Sequence, residues 1–84
     1  MTNWTAQIRV TLKPAVNDPQ GLAIRGGLQQ LGFADVGAVR TGKYFEVRLT
    51  APDRAGAEQQ IADMCRRLLA NTVIEDYSYE VQAA

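Results

Sequence analysis

Val36–Leu49, VGAVRTGKYFEVRL, is the stretch on which the topology turns. Phe45, Val47 and Leu49 alternate with Tyr44, Glu46 and Arg48, the period of a strand with one face against a core. The residues before Thr41-Gly42 read as a second strand, so the stretch is best taken as a hairpin turning at Thr41-Gly42. The alternative is one long strand with a bulge at Gly42.

Working outward, Trp4–Lys13 alternates completely, with Trp4, Ala6, Ile8, Val10 and Leu12 on one side and Thr5, Gln7, Arg9, Thr11 and Lys13 on the other. Pro14 withdraws a ladder donor and ends that strand. In NDPQG, Asp18 stands at a helix N-cap and Pro19 at the first helical position. Ile24, Leu28 and Leu31 form the stripe of this helix, and Gly32 is its expected left-handed cap. Gly21, Gly26 and Gly27 each weaken it by about 1 kcal/mol relative to alanine, so close backbone packing is expected in return.

Downstream, TAPDRAGAEQQIADMCRRLLA offers Thr50 or Asp53 as cap and a stripe of Ile61, Met64, Cys65, Leu68 and Leu69. Arg66 and Arg67 favour the C-terminal end of its dipole. Asn71 is expected to cap this helix in the left-handed conformation, with a strand starting at Thr72 and Val73. Val73, Glu75, Tyr77, Tyr79 and Val81 then share one face of that strand, with Asp76, Ser78 and Glu80 on the other. The order is β-α-β-β-α-β, an α+β ferredoxin-like fold with an antiparallel sheet and two helices on one face. Residues 1–84 make one domain, with no internal linker or low-complexity segment.

Charge and composition exclude several classes. Nine basic and nine acidic residues cancel, which argues against nucleic acid as a partner. No apolar run approaches a membrane span and the N-terminus lacks a signal-peptide pattern, so a cytoplasmic protein with no membrane partner is expected. A lone Cys65 and no histidine leave no disulfide and no usual zinc spacing.

Catalytic signals are weak. Gly37–Lys43, GAVRTGK, has the spacing of a phosphate loop, but Tyr44 follows where Ser or Thr should hold magnesium, and no helix comes next. Cys65 lies in an apolar stripe with no histidine to activate it, so it reads as core. Asp35, Glu46, Glu75, Asp76 and Glu80 fall on faces read as solvated. A binding or assembly module fits these residues better than an enzyme active site. Trp4, Ile74, Tyr77 and Tyr79 are large for two short helices to cover, which favours a second copy on the open parts of the sheet.

LKPAVNDPQGLAI, VRTGKYFEV and LLANTVIEDYSYEV together closely resemble PurS, the small subunit of phosphoribosylformylglycinamidine synthase, in order and over nearly the whole chain. The matching positions are Asp18, Pro19, Gly21, Arg40, Gly42, Lys43, Tyr44, Leu69, Asn71, Glu75, Asp76 and Tyr77, and the chain departs at Gly26-Gly27 and in its alanine-rich end. The resemblance implies a non-catalytic subunit of a ligase in de novo purine synthesis. That ligase converts formylglycinamide ribonucleotide, glutamine and ATP into formylglycinamidine ribonucleotide, glutamate, ADP and phosphate. It also implies a bridge between the synthetase PurL and the glutaminase PurQ for ammonia transfer, and a homodimer or dimer of dimers. ATP and Mg would be used by the complex, with no cofactor bound by this chain.

Arg40, Gly42, Lys43, Tyr44, Asn71, Glu75 and Tyr77 are the candidate partner-contact residues on that resemblance. The residues themselves offer a plainer role: Gly42 giving a turn its positive φ, Lys43 a solvated edge charge, Tyr44 a cover for the sheet and Asn71 a cap. The runner-up function is a regulatory small-molecule sensor of the ACT type, which would bind its ligand between two copies. RNA recognition on the open sheet would need basic charge that this chain lacks.

Overall fold

The N-terminal alternating stretch forms β1, Thr2–Leu12, and it is the centre of the molecule. The structure, a computed structural model, describes residues 1–84. After β1 come α1 (Pro19–Gln30), β2 (Gly42–Ala51), α2 (Arg54–Met64) and β3 (Glu75–Ala83). The three strands form one antiparallel sheet in the order β2-β1-β3.

Register lines up apolar side chains across the middle of the sheet. Ile8 lies between Phe45 and Tyr79, Ala6 between Val47 and Val81, and Val10 between Lys43 and Tyr77. Trp4, Ala6, Ile8 and Val10 are buried under α2, which sets Ala57 and Ile61 against them, with Cys65 just past its end. Ile8 and Ile61 are fully buried, and each contributes about 1.5–3 kcal/mol of transfer free energy. Trp4 is fixed at the sheet end: its indole N–H donates to the Ala51 carbonyl at 3.2 Å, and the Arg54 guanidinium lies 5.4 Å from its ring. Asp53 caps α2, accepting from the Gly56 N–H at 2.7 Å, so of the two candidate caps Asp53 serves.

The α+β class and the antiparallel sheet are as expected, but the sheet has three strands, not four. Residues 36–41 form no strand, and there is no hairpin at Thr41-Gly42. The reason is where their polar groups go. Thr41 N–H donates to Asp18 at 2.7 Å, and the Arg40 guanidinium donates to the carbonyls of Lys13 and Val16 at 3.0 Å. Both sides of β1 are already taken by β2 and β3, so this segment could pair only at an outer edge. Gly42 opens β2 without a positive φ; only Gly32 has one. Gly42 is needed for close approach instead, because a Cβ there would sit 2.5 Å from the Val10 carbonyl oxygen.

Asn71 is not a left-handed cap either. No residue other than glycine has positive φ, and α2 ends through a π-helical turn, Cys65–Leu69, closed by Ala70 N–H on the Cys65 carbonyl at 2.9 Å. The wider turn rotates Leu68 out of the stripe and into solvent, where it is 85% exposed. Ala70 is extended, and the Asn71 side-chain oxygen accepts from the Val73 N–H, so residues 71–74 form a turn and β3 starts at Glu75 instead of Thr72.

Helix placement differs as well. α2 covers the sheet, whereas α1 gives no residue to the core of ten buried side chains. Leu22, Ile24, Leu31 and Phe33 are exposed on and after it. The molecule is accordingly long, 52 × 26 × 14 Å, with a radius of gyration of 16.5 Å against the roughly 12 Å of a compact chain this size.

Candidate functional site

The candidate residues gather at one end of the sheet, where β1 leaves and β2 and β3 enter. Strand order accounts for this. β2 and β3 flank β1, so Lys43 and Glu75, 32 positions apart in the chain, reach across β1 on its helix-covered face. Lys43 Nζ lies 3.5 Å from Glu75 Oε2, while Glu75 Oε1 accepts from the Asn71 N–H at 2.7 Å. Lys43, Glu75 and Asn71 are therefore one connected group. The Glu75 side chain is 11% exposed and that of Lys43 56%, so the carboxylate is the fixed member and the ammonium the free one. A pair this exposed adds little stability, about 0–1 kcal/mol. Tyr77 stands in the same row as Lys43 with Val10 between them, and its ring stacks on Tyr79 at 6.5 Å.

Tyr44 points to the other face, as alternation requires, and is half exposed. It lies beside Arg9 in the adjacent strand, whose guanidinium is 5.8 Å from the ring. That outer face is polar, carrying Thr5, Gln7, Arg9, Glu46, Arg48 and Glu80. Gly42 sits opposite Thr11 on this side, and Lys13 pairs with Asp76 at 3.4 Å nearby. Arg40 is spent on the carbonyls of Leu12, Lys13 and Val16, so its guanidinium holds the chain segment between β1 and α1.

Asp18 has a wider role than the expected cap. One carboxylate accepts from Gly21 N–H at 2.9 Å, from Thr41 N–H at 2.7 Å and from the Thr41 hydroxyl at 3.0 Å. The backbone N–H of Thr41, then that of Gly21, hold its carboxyl below the usual aspartate range, and burial offsets them only in part. Asp18 thus clasps the start of α1 to the start of β2. The capping motif showed the first of these bonds, and only the Thr41 contact completes it. Gly21 is the glycine that close packing requires, because a Cβ there would collide with the Val39 carbonyl and with Asp18 itself. Gly26 and Gly27 have nothing near them.

No group of three His, Cys, Asp or Glu side chains is set to hold a metal, and the one hydroxyl on a carboxylate, Thr41 on Asp18, belongs to the clasp that also holds Gly21. Residues 37–43 lead into a strand, not into a helix N-terminus that could hold phosphate. Cys65 is fully buried, and burial pushes its thiol pKa up against a smaller opposing pull from Arg66. Such a thiol is a packing group, not a nucleophile. No helix is long and apolar enough to cross a membrane.

Comparison with known proteins covers nearly the whole chain. The sequence profile of PurS, phosphoribosylformylglycinamidine (FGAM) synthase, matches residues 5–83. The PurS subunit of Synechocystis is 54% identical over 81 residues, which span 96% of this chain and 81% of the relative. That of Bacillus subtilis is 43% identical, with 94% of this chain and 93% of the relative covered. Its crystal form superposes with a TM-score of 0.83 over 94% of this chain and 98% of that one. A chain of PurLQS from Thermotoga maritima, 27% identical, superposes with a TM-score of 0.90, covering 98% of this chain and 100% of that one. Agreement over the full length sets aside the ACT-like reading. This chain belongs to the PurS family and is a PurS subunit of FGAM synthase.

Proposed function

We propose that this chain is the non-catalytic bridge of its synthase, joining the synthetase PurL to the glutaminase PurQ in the cytoplasm so that ammonia passes from one site to the other. PurQ hydrolyses glutamine to glutamate and ammonia. PurL uses ATP and Mg to activate the amide oxygen of formylglycinamide ribonucleotide, which leaves as phosphate when ammonia displaces it. The products are formylglycinamidine ribonucleotide, ADP and phosphate, and this chain binds no cofactor of its own. The observation that carries the reading is the fit of nearly the whole chain to the PurLQS chain from Thermotoga maritima. The connected Lys43–Glu75–Asn71 group at the sheet end supplies a charged surface for such contacts.

The contact residues in this reading are those at the sheet end: Lys43, Asn71, Glu75 and Tyr77 on one face, Gly42 and Tyr44 on the other, with Arg40 holding the backbone beneath them. The working form is a homodimer or a dimer of dimers, because α1 finds no core within its own chain.

A bridge raises the effective concentration of the glutaminase at the synthetase and adds no chemistry. The test is formylglycinamidine ribonucleotide formation by PurL and PurQ with glutamine, and by PurL with high ammonium salt, each with and without this chain. The glutamine reaction should depend on it and the ammonium reaction should not. Replacing Lys43 and Tyr44 together by alanine should impair the glutamine reaction alone. Equal glutamine rates with and without the chain would refute the bridging role, and dependence in ammonium would place the chain in the synthetase site.

A further inference from the structure

Where β1 begins and β2 and β3 finish, the sheet carries a hollow of about 560 Å³ lined by Asn3, Trp4, Thr5, Arg48, Leu49 and Thr50. Register makes it two rows deep on the polar outer face. Arg48 lies across from Thr5, which has Gln82 on its other side, and Thr50 lies across from Asn3. Trp4 and Leu49 alternate with these residues, so their side chains turn to the helix-covered face beneath, where they pack with the core. That underside is fixed, because the Trp4 indole N–H is held by the Ala51 carbonyl. The hollow therefore rests on paired strands and a packed core instead of on a loop.

The two rows offer a guanidinium, two hydroxyls and two amides, all of them hydrogen-bond donors, and no carboxylate. Glu46 and Glu80 stand one row farther along, on either side of Gln7. Arg48 is exposed and uncommitted. Lys13, Lys43, Arg66 and Arg67 hold carboxylates, and Arg40 and Arg54 hold backbone carbonyls, whereas Arg48 holds neither. A free guanidinium beside hydroxyl donors complements an oxyanion. A carboxylate has two coplanar oxygens, which the guanidinium fork alone would occupy, whereas the terminal oxygens of a phosphate group point three ways and engage the hydroxyls as well. The hollow is also roomier than a bare ion needs and falls within the roughly 300–1,000 Å³ of small-ligand sites.

We propose that this hollow binds a small phosphomonoester, with Arg48 forked onto two phosphate oxygens, Thr5 and Thr50 donating to the phosphate group from the flanking strands, and Asn3 and Gln82 facing the body of the ester. Asn3 is held in place from the far side, where its carbonyl accepts from the Ala84 N–H at 2.9 Å. The site stands about 20 Å along β1 from the Lys43–Glu75 pair, so it is separate from the candidate partner contacts and does not rest on the bridging role.

The test titrates the ¹⁵N-labelled full-length chain, in a phosphate-free buffer, with ribose 5-phosphate and in separate arms with inorganic phosphate, acetate and ribose, following the backbone amide shifts. Ribose 5-phosphate should move the amides of residues 3–5 and 48–50 along a saturating curve and leave those of Lys43 and Glu75 in place. Arg48→Gln should weaken that binding tenfold or more, and Arg48→Lys, which keeps the charge and loses the fork, should also weaken it. Arg48 is exposed and unpaired, so neither substitution threatens the fold, and the same spectra check this. Ribose alone should move nothing. Inorganic phosphate binding as tightly as the ester would reduce the hollow to an ion site and overturn the proposal, as would equal binding of acetate. Unsaturable shifts, shifts spread over the other cations, or binding unchanged in Arg48→Gln would overturn it too. The glutamine and ammonium assays decide the bridging role independently of every one of these results.

Discussion

Asp18 joins three donors from two segments through one carboxylate, so its loss should be felt at both ends of the arm that carries α1. Its pKa is lower in the folded chain than in the unfolded one. The stabilisation it provides is therefore complete above the ordinary aspartate pKa and is lost as pH falls through the depressed folded value. Urea unfolding at neutral pH and at stepped acid pH should show this slope in the parent chain and a flatter one in Asp18→Asn, which should also be less stable at neutral pH. Cys65→Ser tests the core reading at the same scale. Burying a hydroxyl where the thiol now packs should cost about 1–3 kcal/mol, seen as a lower Tm, with synthase activity per folded molecule unchanged.

At the scale of elements, the two helices call for opposite interventions. α2 is held by packing and by a single capping carboxylate, so Asp53→Ala should destabilise the chain by about 1 kcal/mol in urea titrations. α1 is held at its base and little elsewhere. Its interior glycines reduce helix propensity, yet only Gly21 is needed by the packing. Gly26→Ala should stabilise the chain by about 0.5–1 kcal/mol, because nothing lies within 4 Å of the added methyl, whereas Gly21→Ala should destabilise it. Equal effects at the two positions would show that the Val39 carbonyl moves aside freely.

A sheet of three strands under one helix, with a second helix held out from it, is more open than a compact chain of 9.2 kDa. Its excess surface is apolar along α1 and at the end of α2, while the outer face of the sheet is polar. Self-association should therefore use the former, while partner subunits should find the sheet end where Lys43, Glu75 and Tyr44 lie. Light scattering across micromolar concentrations should return at least two chains, and raising salt should not dissociate them, because apolar burial is not screened as charge is. Dissociation by salt alone would mean that ion pairs such as Lys13–Asp76 hold the copies together.

The sequence by itself determined the features that depend on neighbours close in the chain. The alternation of Trp4–Leu12 and of Phe45–Leu49, the Ile61–Cys65 stripe, the caps Asp18 and Asp53, and the cored Cys65 are all local patterns, and the structure keeps them. Even the opposite facing of Lys43 and Tyr44 follows from alternation. Tertiary structure alone decided whether Val36–Thr41 would pair, because a strand exists only if another edge is free, and Asp18 and the carbonyls after β1 claimed its donors first. It also decided that Lys43, Asn71 and Glu75 meet, which requires β1 to lie between β2 and β3. The placement of α1 is the deepest case: its stripe is legible, but which surface covers an apolar stripe depends on what else in the fold, or in a second copy, is left without a partner.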